Sequence, residues 1–243
     1  MLIVDVGSKG GVVPILKNAL DEARFIAFEP LESSESGDLK EGNFKWGGEG
    51  AKEILSNTLV WNKKTNLSFH VCRKREVSSV FLPNVEFISN FPNPERFDIE
   101  DTLTRKADKL DNLISEDIDY IKVDAQGASF EILEGAYLHL MNNSPMLEVE
   151  LEFEPIYKNQ KLFEKTTTML RDLNYSIIHM ELNHWANSLK HFQNSHLGST
   201  LVWAQVFFAV DPSVLKAKNV NLDGRRKIAK ALKFDSYADK FSY

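Results

Sequence analysis

Cysteine is almost missing from this chain: Cys72 is the only one in 243 residues. No internal disulfide can form and no Cys/His grouping has zinc-ligand spacing, which leaves metal ligands unassigned and fits a reducing compartment. Long apolar runs are missing as well. No stretch approaches the roughly 20 residues that span a bilayer, and the first residues enter a strand rather than a basic segment followed by a hydrophobic one. The expectation is a cytoplasmic protein without a membrane span. Excess positive charge is the third absence. With 29 Lys and Arg against 35 Asp and Glu, the formal charge is −6, which argues against general nucleic-acid binding. Neither an internal repeat nor a low-complexity tract is found. A chain of this length is most simply one α/β domain with a substantial core.

What is present begins at once, in Met1-Leu-Ile-Val-Asp-Val-Gly-Ser-Lys-Gly-Gly11. Ile3, Val4 and Val6 are β-branched, as in a strand covered on both faces, and Asp5 lies toward the carboxyl end, where open α/β sheets place ligands. Gly7, Gly10 and Gly11 let backbone approach a ligand. Val12, Ile15, Leu16, Ala19, Leu20 and Ala23 fall at helical spacing, so the loop opens onto a helix N-terminus, with Pro14 tolerated in its first turn. Arg24 to Phe28 reads as a second strand ending in Glu29, about 20 residues past the loop, where such folds place an acid on a ribose hydroxyl pair. S-adenosylmethionine and a nicotinamide dinucleotide both fit this unit. The spacing from Gly7 to Gly11 departs from G-x-G-x-x-G, which weakens the dinucleotide. A plain tight turn is the structural alternative.

Further along, the Ser-, Gly- and Glu-rich stretch from Leu31 to Gly50 reads as a loop, and Ala51 to Asn57 as a short helix. Leu59 to Trp61 and Leu67 to Val71 read as strand, turn, strand, and the segment from Ser78 to Pro94 as loop over the sheet's edge or mouth. Tyr120-Ile-Lys-Val-Asp124 is a strand, Gly127 a break, and Phe130, Leu133, Tyr137, Leu140 and Met141 one face of a helix. In the strand from Met146 to Phe153, Glu148, Glu150 and Glu152 share one face and Leu147, Val149 and Leu151 the other. Leu162 to Leu173 is helical, and Tyr175 to Met180 with Thr200 to Val210 suggest a terminal hairpin. The expected architecture is an open, mostly parallel seven-stranded α/β sheet with an antiparallel last strand and helices on both faces.

Several blocks resemble the FkbM-type family of S-adenosylmethionine-dependent methyltransferases, over most of the chain. Ile3 to Gly11 looks like the family's first-strand motif and Phe28-Glu-Pro30 like its ribose-binding acid and following proline. Ile121-Lys-Val-Asp-Ala-Gln-Gly-Ala-Ser-Phe-Glu-Ile-Leu-Glu-Gly135 is the most specific block. Glu148 to Gln160 and Leu201 to Phe208 resemble later segments. The resemblance implies a Rossmann-like class I methyltransferase fold and methyl transfer from S-adenosyl-L-methionine, most often to a hydroxyl of a sugar, glycan unit or secondary metabolite. By position, Asp5, Gly7, Ser8, Gly11, Glu29, Pro30 and Asp124 would bind the cofactor. The family often has Asn at position 9, Glu at 126 and Asp at 205, where this chain has Lys9, Gln126 and Gln205, so two carboxylates have become amides.

Asp124 ends a strand before a small-residue turn, so its side chain is expected to face the crevice and to accept or align the acceptor's proton; its plain alternative is a turn cap. Lys122, on the same face, needs a partner, Asp124 or a neighbouring glutamate. Glu150 is the second catalytic candidate, and Tyr157 a candidate wall of the acceptor pocket. Trp61 is a candidate to pack near adenine. His179, His184, His191 and His196 lie near the last strands, where a neutral imidazole can act as base, but ordinary surface or core roles are simpler. Residues 1–212 form the methyltransferase domain in this reading. Ser213 to Tyr243, with eight Lys and Arg against three Asp and Glu, form a basic helical tail packed on it. A non-catalytic cofactor-fold module that binds a partner is the alternative function, and a nicotinamide oxidoreductase is more distant.

Overall fold

The computed structural model describes residues 1–7, 16, 23–31, 40–41, 52–186 and 199–242. In chain order its strands are β1 (Leu2–Val6), β2 (Arg24–Phe28), β3 (Lys40–Glu41), β4 (Lys52–Ser56), β5 (Leu59–Val60) and β6 (Thr65–Cys72). They continue as β7 (Ile99–Asp108), β8 (Tyr120–Val123), β9 (Met146–Glu152), β10 (Tyr175–Ala186) and β11 (Ser199–Val210). The longer helices are α1 (Ser129–Gly135), α2 (Phe163–Asp172), α3 (Pro212–Ala217), α4 (Leu222–Ala231) and α5 (Asp235–Asp239). None is long and apolar enough to cross a membrane.

The main sheet has eight strands among the described residues, in the order β10-β11-β9-β8-β1-β2-β4-β3, and not the seven expected. Its centre, from β9 through β8, β1 and β2 to β4, is parallel. β11 runs antiparallel to β9 and forms the terminal hairpin with β10, as the sequence suggests. Two of the main sheet's strands come from segments not expected to be strands, while the strands expected within residues 59–71 lie in a second sheet. Residues 52–56, expected to be helical, pair with β2 from Arg24↔Lys52 to Phe28↔Ser56. The adjacent Ile54 and Leu55 suit either period, and the open edge of β2 decides between them. Lys40–Glu41 then adds a short antiparallel edge. The rest of the expected loop from Leu31 to Gly50 lies almost wholly outside the described residues.

The expected hairpin of residues 59–71 is also different. β7 inserts between its two arms to make a separate three-stranded sheet, β5-β7-β6. In β7 only Ile99, Leu103 and Ala107 are apolar, every fourth residue, so the two-residue alternation of a strand is hidden.

Alternation sends Val4 and Val6 to one face of the main sheet and Ile3 and Asp5 to the other. The first face joins Ile121, Val123, Val149 and Leu151 to Ile132 and Leu133 of α1 and Leu170 of α2. On the second, Ile3, Phe25, Tyr120 and Met146 meet Leu16, Ile228 and Ala229 of α4, and Tyr237 and Ala238 of α5. Helices thus cover both faces, and each large apolar side chain fully buried there contributes about 1.5–3 kcal/mol. The helix expected from Phe130 to Met141 is present as α1 followed, after a turn at Ala136, by a π-helical turn His139–Asn143. Leu133 and Leu140 of the expected face are buried, whereas Tyr137 (43%) and Met141 (39%) are exposed; at Gly135 a Cβ would lie 2.0 Å from the Trp61 carbonyl oxygen.

A buried arginine ties the C-terminal helices to the sheet. Arg225 of α4, with no exposed surface, donates to Asp119 Oδ1 (2.6 Å), the Ile118 carbonyl (3.1 Å) and the Asn143 carbonyl (2.7 Å). Asp119 Oδ2 in turn accepts from the Leu2 amide at 2.9 Å. Four segments distant in sequence meet at this ion pair, on the amino-terminal side of β1 and β8.

Candidate active site

At β1 the connections reverse: the chain runs outward to β2 and β4 on one side, and returns to β8 and β9 on the other. Open α/β sheets bind ligands at the carboxyl ends of strands flanking such a reversal. A cleft lies there, with about 920 Å³ of space including its open mouth. Val6, Phe28, Val60, Trp61 and Ile132 give it apolar walls, while Glu29, Asp124, Gln126 and Glu150 supply polar groups.

Gly7 permits this geometry. Its φ is +84°, and a Cβ would sit 1.9 Å from the Asp124 carbonyl oxygen, so no other residue fits without moving the β8 end. Its amide donates to the Phe28 carbonyl at 2.9 Å, while the Asp124 amide donates to the Val6 carbonyl at 2.9 Å. The ends of β2, β1 and β8 are thereby drawn together below the cleft. Glu29, 4% exposed, accepts from the Leu31 amide at 3.0 Å. The next residue is held by the second sheet, because Arg105 Nε of β7 donates to the Pro30 carbonyl at 2.9 Å.

A row of acids crosses the sheet beside the cleft. Register places Asp5 opposite Lys122, Lys122 opposite Glu148, and Glu150 opposite Gln205. Lys122 Nζ lies 3.6 Å from Asp5 Oδ1 and 3.6 Å from Asp124 Oδ2. Gln126 Nε2 donates to Asp124 Oδ1 (3.2 Å) and to Glu150 Oε1 (2.8 Å). Glu148 accepts from the Tyr120 hydroxyl and from Gln205 Nε2, the latter at 3.0 Å. Both amides, Gln126 and Gln205, therefore donate to carboxylates, where a further acid would repel.

Burial dominates the electrostatics. It pushes Asp5 up to about 7 against the opposing pull of Lys122, and Glu152 up to about 8. Glu150 is raised well above the usual carboxyl range, by burial first and then by Asp124 and Glu152. Burial alone would lower Lys122, but the acids around it carry it up to about 12, so it stays charged. These acids hold protons in the folded state that they release, when unfolded, near their ordinary values of about 4. Between those values and about 8 the native state binds more protons than the unfolded one, so stability falls as pH rises through this window. Denaturant unfolding at a series of pH values from about 5 to 9 checks this; stability that climbs with pH would contradict it.

Of the residues singled out in the sequence, Gly7, Glu29, Pro30, Asp124 and Glu150 line the cleft together, as does Trp61. Asp5 is fully buried beside Lys122 and is not among the lining residues. Ser8 and Gly11 lie outside the described residues, as do His191 and His196. Neither of the other two histidines lines the cleft: His179 packs in tilted contacts with Phe207 and Phe234, and His184 lies on β10. Tyr157 is a buried support under the cleft, its hydroxyl 2.9 Å from both Gln126 Oε1 and the Val77 carbonyl. Arg105, Ser79 and Arg225 gave no signal in the sequence, since each acts through a backbone carbonyl or a distant acid.

The sheet reversal, the glycine turn and the acids that line the cleft define a mixed α/β protein with a ligand crevice at its topological switch. A model of the methyltransferase FkbM domain matches residues 7–177, and the chain belongs to that family. Among solved structures, the methyltransferase FkbM from Methylobacillus flagellatus KT, a crystal structure at 2.20 Å resolution, is similar at 10% identity and a TM-score of 0.39. That match covers 84% of this chain and 42% of the other, so this chain spans less than half the length of that relative. No curated protein matches it.

Proposed function

We propose that this chain is an S-adenosylmethionine-dependent methyltransferase acting on a hydroxyl, most simply of a sugar, glycan unit or secondary metabolite. The carrying observation is that Glu29 and Asp124 line one cleft on either side of the Gly7 turn. The cleft suits the cofactor in two respects: apolar walls including Trp61 for a flat base, and carboxylates for a cation. Gly7, Ser8, Gly11, Glu29 and Pro30 would hold it, with Asp5 beneath and Asp124 nearest the acceptor. When bound, it supplies an electrophilic methyl group on a positively charged sulfur.

The residues then divide the work. Glu29 holds the ribose side. Asp124 aligns the acceptor hydroxyl and takes its proton, with Lys122 Nζ 3.6 Å from its carboxylate. Glu150 is the second acid within reach of Asp124 through Gln126. Residues 1–212 would form the catalytic unit and 213–243 a tail packed on it.

Calorimetric titration with S-adenosylmethionine tests the reading directly: saturable binding supports it, and no binding at millimolar cofactor by folded protein rejects it. Glu29→Ala is expected to weaken that binding by about 1–3 kcal/mol, the scale of a hydrogen bond to a charged group, in the same calorimetric experiment. A non-catalytic module has one observation in its favour, the amides Gln126 and Gln205 beside the acids. Release of S-adenosylhomocysteine above a Glu29→Ala control, with a panel of sugars and hydroxylated metabolites, excludes it.

A further inference from the structure

Tyr157 has one hydroxyl hydrogen and two acceptors, the Val77 carbonyl and Gln126 Oε1, each at 2.9 Å. It can donate to only one of them well. On its far side, Gln126 meets Asp124 Oδ1 at 3.2 Å and Glu150 Oε1 at 2.8 Å. The backbone of Gln126 is fixed in the left-handed region, φ +51°, with its carbonyl accepting from Ser79 Oγ at 2.7 Å, so the side chain is aimed and cannot swing away freely. An amide has nearly the same outline after a half-turn about its last bond, and only the hydrogen-bond pattern distinguishes the two orientations.

Both orientations can be satisfied here, with different protons. With Glu150 ionised, Nε2 donates to both acids and Tyr157 donates to Oε1. With Glu150 protonated, Glu150 donates to Oε1, Nε2 donates to the Tyr157 oxygen, and Tyr157 donates to the Val77 carbonyl. Only the amide nitrogen and oxygen of Gln126 change places. In the second pattern Asp124 loses a donor and faces an amide oxygen. We propose that Gln126 is a two-setting positioning residue that turns over when Glu150 takes a proton and so releases Asp124 for the acceptor. The link to the acceptor rests on the methyltransferase reading; the two settings do not.

The groups facing this relay are Lys122 and Asp124 from the β8 end, Glu148 and Glu152 from β9, Gln205 from β11 and Tyr157 below. Lys122 stays charged throughout. Burial with two neighbouring acids favours the proton on Glu150.

The test uses the full chain with no ligand added. The side-chain amide of Gln126, identified in a ¹⁵N–¹H spectrum by its loss in Gln126→Glu, is followed from about pH 5 to 9 with the ¹³C signals of the Glu150 carboxyl and Tyr157 Cζ. All three are expected to move through one shared midpoint. In Glu150→Gln, whose new amide donates to Oε1 as the protonated acid would, the Gln126 signal is expected to stay at its acid-end position at every pH. A Gln126 amide that does not respond to pH in wild type, or that titrates with a midpoint unlike that of Glu150, overturns the proposal. So does a Gln126 signal that still titrates in folded Glu150→Gln. Because no turnover is read, failure of the methyltransferase reading would appear separately, as absent cofactor binding.

Discussion

Asp124→Asn is expected to lower turnover by about 10²-fold or more while leaving cofactor affinity within a few-fold of wild type. That is the scale of general-base catalysis. The asparagine keeps the size of the side chain and a carbonyl oxygen to accept from Gln126, so the cleft's shape is preserved. What it loses is the ability to take a proton and the charge that meets Lys122 at 3.6 Å. Glu29→Ala should show the opposite division, weaker binding with less change in rate once cofactor is saturating. Single-turnover rates and calorimetry on the two variants separate these effects. Normal turnover by Asp124→Asn would move the chemistry to another residue, with Glu150 the next to examine.

Arg225→Ala is expected to destabilise the fold by about 3–5 kcal/mol, the effect of stranding one partner of a buried ion pair. Asp119 would keep its contact with the Leu2 amide but lose the cation 2.6 Å away, and the carbonyls of Ile118 and Asn143 would lose their donor. Since small domains are stable by only about 5–15 kcal/mol, this one truncation would remove a large share. Denaturant unfolding with an unchanged slope and an earlier midpoint checks it. A change under about 1 kcal/mol would mean that α4 is held mainly by Ile228 and Ala229 in the apolar cluster instead.

The elements that read directly from the sequence are those whose environment is uniform. β1, β8 and β9 are buried; β1 and β8 are mostly β-branched or apolar and β9 alternates apolar residues with glutamates, so their identity needs no partner to be known. Glu29 and Asp124 could be placed because each ends such a run. The failures come where pairing decides. Residues 52–56 become a strand through the edge of β2, and β7 is a strand because β5 and β6 flank it. Roles carried by long-range contacts were equally hidden. Gln205 meets Glu148 across 57 residues and Arg225 meets Asp119 across 106, and nothing local marks Arg225 among the other basic residues of its tail.

Cys72, the chain's lone cysteine, gains a use from its place in the second sheet. Cys72 ends β6 with no exposed surface, and burial pushes its thiol up to about 11. At neutral pH only roughly one thiol in 10⁴ is ionised, and the ionised form is the one that reacts. Alkylation by a thiol reagent must therefore wait for the β5-β7-β6 sheet to open, and its rate is a native stopwatch for that opening. The same sheet holds Pro30, in the wall behind Glu29, through Arg105. A single mass-spectrometric time course, with and without a candidate ligand, then reads how tightly occupancy of the cleft clamps that wall.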